Sequence, residues 1–387
     1  MTLTEAARPR TASRKPPAPS PARIAGFDGL RALAFLAVFA NHKLTVPQRD
    51  ALGSVGVWTF FVLSGFLITR ILAQSRAQVE ARGAPVGPAL RRFYLRRTAR
   101  IFPVYYALLS GALILSAFIY VDDFWAREKF AYIFYVTNFL VGARDGWIGD
   151  FGHLWSLAVE EQYYLLFAPL VLMLPRGRTA AVCLAMVGAA VVVDLALHAM
   201  RAPPLTIYVN SLVNFGMLGF GGLVGLSAGR RSPGWTTCGA AQAAVLAVLA
   251  AAPLAFGAEV APWRTYGPLI SLASGLLLFQ VFNRQDSWLV AVLEAAPLRL
   301  TGRVSYAAYL FHPFIHFSTL NRLLGLAGVT LAAPRPVQIL VELAATLLLC
   351  ALSWRLLEAP VMRWARRVSG PAAAQSRTLT SDAPRAA

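Results

Sequence analysis

The stretch GFDGLRALAFLAVFANHKLT, residues 26–45, decides the fold. It is apolar enough to enter a bilayer, yet it carries Arg31 near its start and His42 near its end. At about 100° per residue, the eleven helical steps from one to the other return to within roughly 20° of the starting face, about 16 Å further along the axis. One face of one helix therefore holds two ionisable groups at two depths. Such groups are costly in hydrocarbon and turn toward a bundle interior, a pathway or a partner. The alternative is an arginine that snorkels at one membrane surface and a histidine that sits at the other.

Working outward, the same apolar character recurs along the chain. Of 387 residues, 57% are hydrophobic and 14% charged, where a soluble domain carries about 25% charged residues. Hydropathy predicts an all-α integral membrane protein, a bundle of about ten transmembrane helices with no separate soluble domain. The expected spans are 27–46, 53–73, 102–121, 154–174, 179–199, 207–228, 237–257, 265–283, 304–325 and 336–357. The segment 130–142 (FAYIFYVTNFLVG) is too short to span and is expected to be interfacial or re-entrant. With ten spans and both termini cytoplasmic, most of the 36 Lys and Arg fall on the inner side, as the positive-inside rule requires. Basic inner loops account for the formal charge of +18, and no nucleic-acid-binding motif suggests otherwise.

Residues 1–25 lack the apolar core of a signal peptide and read as a disordered basic cytoplasmic tail. Residues 26–367 are expected to form the membrane domain, and 368–387 a second disordered cytoplasmic tail. Cys183, Cys238 and Cys350 lie in apolar runs without metal-ligand spacing, so they read as packed or lipid-facing small hydrophobes. Zinc motifs, a GxSxG elbow and a glycine-rich phosphate loop are all missing from the sequence, and no metal is expected. Any chemistry would rest on His, Arg and Glu, with a cosubstrate supplying activation.

Candidate groups are spread over several spans. Ser64-Gly65, in the middle of the second, is a small pair that lets another helix approach. The expected inner loop LRRFYLRRTARIFPVYY packs Arg91, Arg92, Arg96, Arg97 and Arg100 among aromatics ahead of Pro103. That density suits an anionic, nucleotide-like cosubstrate or anionic lipid head groups equally. In span 4, GHLWSLAVEEQYYLLFAPL places His153 and Glu160 seven apart, on one helical face. The carboxylate can serve a histidine or an acceptor proton, or close a structural pair with Arg31 or Lys43. In RVSYAAYLFHPFIHF, the residues Ser305, Tyr309 and His312 recur at four and three positions, with His316 continuing the face and Pro313 kinking the helix. His198 reads as interfacial, and Glu358 and Pro360 as a helix terminus.

These motifs, in this order, resemble the acyltransferase-3 family of multi-pass membrane acyltransferases, which O-acylate bacterial surface glycans and some antibiotics. The family's arginine, ten residues and a histidine match Arg31 and His42. FFVLSGFLI from Phe60, FYLRRTARIFPVYY, HLWSLAVEEQYY and SYAAYLFHPF follow, covering about residues 22–367. One departure is Trp58-Thr59, where family members often carry an acid; a fused hydrolase-like domain, which some members have, is not expected. The resemblance implies transfer of an acyl group, expected to be acetyl, from cytoplasmic acyl-CoA to a hydroxyl of a sugar-containing acceptor, at the bacterial plasma membrane. His42 is then general base or transient acyl carrier. Arg31 lies near the thioester, Arg97 and Arg100 are the phosphate contacts, and Glu160 orients or reprotonates His42. Exported polysaccharide is the expected acceptor and glycan-export machinery a possible partner, with a macrolide or other small glycosylated metabolite as the alternative acceptor. From another class, a transporter or flippase would use the same buried charges without acyl transfer.

Overall fold

A computed structural model describes residues 23–44, 49–118, 124–230, 234–256, 263–326, 328–329 and 332–369. The proposed tails therefore fall almost wholly outside the described residues. Among those described, the regular secondary structure is helical. The first half of the chain forms α1 (Phe27–Lys43), α2 (Arg49–Arg82), α3 (Val86–Phe118), α4 (Phe124–Ile133), α5 (Thr137–Arg144), α6 (Trp155–Met173), α7 (Thr179–Ala199), α8 (Pro204–Tyr208) and α9 (Ser211–Ser227). The second half forms α10 (Gly234–Thr237), α11 (Gly239–Phe256), α12 (Trp263–Asn283), α13 (Trp288–Leu293), α14 (Ala296–Arg303), α15 (Ser305–Phe311), α16 (Phe317–Gly325), α17 (Arg335–Ser353) and α18 (Ala359–Val368).

Four of these helical stretches are long and apolar enough to cross a membrane: Ala51–Arg82, Arg176–Ala199, Pro204–Ser227 and Arg335–Val368. Two of them turn large apolar side chains outward, among them Leu184, Val192 and Leu195 on α7 and Leu340, Leu348 and Leu352 on α17. In water such surface would drive association; in lipid it is the solvated face. Between helices, where lipid removes most of the hydrophobic driving force, close packing takes over. The crossing of α2 and α9 shows this. A Cβ on Gly65 would lie 1.9 Å from the Leu218 carbonyl oxygen, and one on Gly221 would lie 2.1 Å from that of Val62. Ser64-Gly65 is thus a packing site, while the Ser64 hydroxyl faces elsewhere.

Three sequence expectations change. First, the arginine-rich stretch is no loop. The chain turns at Gly83, which has φ +57°, where Ala84 N–H donates to Val79 O at 3.0 Å and Gly83 N–H to Glu80 O at 3.2 Å. This is a Schellman end to α2. After it α3 runs unbroken from Val86 through Pro103, because Pro88 falls in the first turn, where no N–H is needed. Second, Glu358 and Pro360 do not end a helix. A π-turn at Trp354–Glu358 carries the chain into α18, and its wider turn relieves the crowding between the Pro360 ring and the preceding carbonyls. Third, the expected span 304–325 is broken into helices of 7 and 9 residues around a 3-10 turn at His312–Phe314. Neither half is long enough to cross a bilayer. His316 leaves the face of Ser305, Tyr309 and His312 and is exposed.

The segment 130–142 forms the end of α4, a break at Tyr135 with φ +53°, and most of α5. A buried polar group holds it. Gln162 Nε2 on α6 donates to Tyr135 O at 2.8 Å and to Asn138 Oδ1 at 2.9 Å, and Asn138 Nδ2 donates to Ser211 Oγ at 2.8 Å. Cys183 and Cys350 are buried and Cys238 half-buried, all three as free thiols.

Candidate active site

The break after α15 builds the first half of the site. Pro313 has no N–H and cannot bond the Tyr309 carbonyl four residues back. The His312 ring takes that place: its Nδ1 lies 2.8 Å from Tyr309 O and 3.1 Å from Ala308 O. Both are acceptors, so Nδ1 carries the proton and Nε2 is the lone-pair nitrogen. Nε2 of His312 lies 3.2 Å from Nδ1 of His42, and that same Nδ1 lies 3.0 Å from Val38 O. Two acceptors around one nitrogen fix the proton there, so His42 is the Nδ1–H tautomer and Nε2 holds its lone pair. His312 is fully buried among Phe35, Phe39 and Tyr309, whereas His42 is exposed. One ring is locked in place and the other faces outward.

His153 completes the cluster, its ring centroid 5.7 Å from that of His312 and 6.5 Å from that of His42. It lies in a 3-10 turn, Gly149–Leu154, ahead of α6, so it does not share an α-helical face with Glu160. Tyr309 fixes its position: the hydroxyl donates to His153 O at 2.8 Å and pairs with Ser156 Oγ at 2.6 Å. Ser305 is buried one turn before Tyr309. No group of three or more His, Cys, Asp or Glu among the described residues is arranged to hold a metal ion.

A buried ion pair clamps this end of α1. Lys43, 2% exposed, lies 3.2 Å from Oε2 of Glu342, also 2% exposed. Lys43 Nζ donates to Ile315 O at 2.6 Å, and Glu342 Oε1 accepts from Phe317 N–H at 2.8 Å. Both backbone groups flank the α15–α16 break, which leaves them without helical partners. Arg335 closes the group, with NH2 2.9 Å from Lys43 O. The sequence offers Glu160 as a structural partner of Lys43. Its partner, Glu342 in VQILVELAATLL, is an acid in an apolar run, and that costly placement was the available signal.

The second half of the site lies toward the other end of α1. Arg31 NH1 donates to Asp28 Oδ1 at 3.1 Å, so its partner is neither Glu160 nor Glu161. Arg97 NH2 donates to the Tyr164 hydroxyl at 2.8 Å, and its guanidinium lies 4.2 Å above that ring. Tyr164 donates to Glu160 Oε2 at 3.1 Å, and Ser64 donates to Oε1 at 2.6 Å. Glu160, expected beside His42, therefore has both oxygens engaged in the arginine group. Arg100 lies within electrostatic reach of Arg31, Arg97 and Glu358. Three guanidinium groups thus converge from α1 and α3 with Asp28, Glu160 and Glu358 among them, and guanidinium forks of this kind suit an anionic ligand.

The two halves share α1, on which Arg31 and His42 are about 16 Å apart at 1.5 Å per residue. The chain is 28% identical over 365 residues to a peptidoglycan O-acetyltransferase, OatA, of Listeria monocytogenes, covering 88% of this chain and 56% of the relative. It is 28% identical to a putative peptidoglycan O-acetyltransferase, YrhL, of Bacillus subtilis (87% and 55%), and 27% identical to the O-acetyltransferase OatA of Staphylococcus aureus (89% and 58%). The chain spans a little over half the length of these curated relatives. No solved structure matches it. The family model described as an acyltransferase domain matches residues 24–355, a length that contains the histidines and arginines of both half-sites, and the chain belongs to the acyltransferase-3 family.

Proposed function

We propose that the protein is a membrane O-acetyltransferase that takes an acetyl group from acyl-CoA at the arginine end of α1 and delivers it to a glycan hydroxyl at the histidine end. The observation that carries this reading is the fixed tautomer of His42, whose lone pair is on Nε2 and whose Nδ1–H is backed by His312 and Val38. A neutral imidazole so held is ready to accept a proton. The acceptor hydroxyl gives its proton to Nε2 as its oxygen attacks the thioester carbonyl. The new ester C–O bond forms, the C–S bond breaks, and the leaving thiolate takes the proton from the imidazolium. Positive charge on His42 is stabilised by the two acceptors on Nδ1. An acyl-imidazole intermediate on Nε2 is the alternative order of the same bond changes.

Arg31, Arg97 and Arg100 would hold the donor's phosphates, and Glu160 would set Tyr164, and through it Arg97, rather than serve His42. In this reading the chain crosses a bacterial plasma membrane ten times, the ninth crossing made by α15 and α16 together across their break, with both termini cytoplasmic and residues 26–367 acting as one domain. Peptidoglycan, named for two of the relatives, is the first acceptor to test. The experiment is transfer from radiolabelled acetyl-CoA to peptidoglycan fragments by the protein in proteoliposomes. Wild-type protein is expected to label the fragments, and His42→Ala to abolish labelling. Equal labelling by both proteins refutes the reading.

A further inference from the structure

The arginines at the start of α3 divide by direction. Arg97 reaches inward to Tyr164, and Arg100 lies with it near Arg31. Arg92 and Arg96 reach the other way. Arg92 Nε donates to Ser369 O at 3.2 Å across 277 positions of sequence, and Arg96 Nε donates to Ser369 Oγ at 3.1 Å. Ser369 ends α18, so these bonds set α18 beside the first turns of α3.

α18 is amphipathic. At about 100° per residue, Arg363, Arg366 and Arg367 share an arc of roughly 100°, and all three are exposed. Val361, Met362, Trp364, Ala365 and Val368 fill the remainder; Ala365 is buried, while Trp364 and Val368 are 55% and 52% exposed. Neither 84–118 nor 359–369 contains an Asp or Glu. Arg96 lies within repulsive range of Arg92 and Arg366. Orientation in a membrane needs basic residues only near the span ends. It does not need two distant segments to bring Arg92 and Arg96 beside Arg366 on a self-repelling surface bordered by an exposed tryptophan.

We infer that α18 and the start of α3 form a docking surface for anionic phospholipid headgroups. α18 lies in the interface, Trp364 and Val368 enter the acyl region, and the guanidinium groups engage phosphates bidentately. This surface is separate from the proposed donor site, and the inference stands or falls without the transferase reading.

The test uses the full-length protein in phosphatidylcholine nanodiscs containing spin-labelled phosphatidylglycerol or spin-labelled phosphatidylcholine, with the motionally restricted fraction read by electron paramagnetic resonance. Wild type is expected to favour phosphatidylglycerol at least about fivefold, the factor for one engaged arginine, and to lose much of that in high salt. Arg363→Gln/Arg366→Gln/Arg367→Gln is expected to remove the preference, and the matching triple Lys variant to keep most of it. If the triple Gln variant does not purify as a monodisperse helical protein, Arg366→Gln/Arg367→Gln replaces it, with a preference at least halved. No preference in wild type overturns the inference. So does an undiminished preference in the Gln variant, or an equal loss in the control Arg176→Gln/Arg178→Gln.

Discussion

Replacing His312 tests the core of the proposed chemistry. His312→Phe keeps a planar ring of similar size in the pocket formed by Phe35, Phe39 and Tyr309, but removes the acceptor 3.2 Å from His42 Nδ1. In the resting enzyme that hydrogen bond joins neutral partners and contributes about 0.5–1.5 kcal/mol. In the proposed transition state His42 would become an imidazolium, and the same bond, then charge-assisted, would contribute about 1.5–3 kcal/mol. Only the difference, about 1–1.5 kcal/mol, speeds the reaction, since strength common to both states cancels. At 1.36 kcal/mol per decade this is roughly a 5- to 13-fold fall in kcat. Val38 O still holds the proton on Nδ1, which is why the fall is not larger.

The assay is acetyl transfer in proteoliposomes, with kcat and donor KM determined separately. KM for the donor should stay within about twofold, because the arginine group is about 16 Å away along α1. His312→Gln supplies the discriminating control. Its side-chain oxygen lies near the position of the lost Nε2 and still accepts from His42, so kcat should recover to within about threefold of wild type. A Phe variant with unchanged kcat, or a Gln variant as impaired as Phe, refutes the argument that His312 acts through the tautomer and charge of His42.

Other predictions concern the supports of the site. Lys43→Met removes the buried partner of Glu342 and leaves it only Arg335, 3.4 Å away and half exposed, which costs up to about 3–5 kcal/mol and should lower the thermal unfolding midpoint in detergent; Lys43→Met/Glu342→Leu should regain part of the loss. Arg97→Ala and Arg100→Ala would each remove a proposed charge-assisted phosphate contact of about 1.5–3 kcal/mol. Each should raise donor KM by roughly 10- to 150-fold with much smaller changes in kcat, as measured in the same transfer assay. Pro313→Ala restores an N–H that competes with His312 Nδ1 for Tyr309 O, so kcat should fall while the unfolding midpoint stays level or rises. A Pro313→Ala enzyme with wild-type kcat would separate the helix break from catalysis.

Much of the site was legible because its residues are conspicuous against an apolar background. Arg31 and His42 on one face, the arginines of α3, and Ser305, Tyr309 and His312 at helical spacing all stand out from composition and period. The sequence did not show which of them meet. The spacing in span 4 puts Glu160 on the face of His153 and the resemblance gives it to His42, yet Ser64 and Tyr164 engage it, and the 3-10 turn at Gly149–Leu154 takes His153 off its face. Glu342 lay unremarked because its partner, Lys43, is 299 residues earlier, and long-range pairing has no local signature. Helix limits were misjudged for a related reason. Hydropathy finds where a helix enters lipid, whereas Gly83 and the absence of an interior breaker before Pro103 decide where α3 begins.

The break at Pro313 explains why the histidine end can be both rigid and open. A continuous helix would satisfy its own backbone and offer α1 nothing but side chains. The broken one leaves polar groups at the site, and each has a distinct use. Tyr309 O fixes the proton of His312, Ile315 O receives Lys43, and Phe317 N–H receives Glu342. His42 and Lys43 are adjacent in α1, so the contact that sets the tautomer and the ion pair that holds the helix end address successive residues. In lipid an unsatisfied backbone group costs several kcal/mol, so the break persists only while these partners remain. The same requirement gives the histidines their fixed geometry, and it makes Lys43 and Glu342 positioning residues for His42 although neither need touch a substrate.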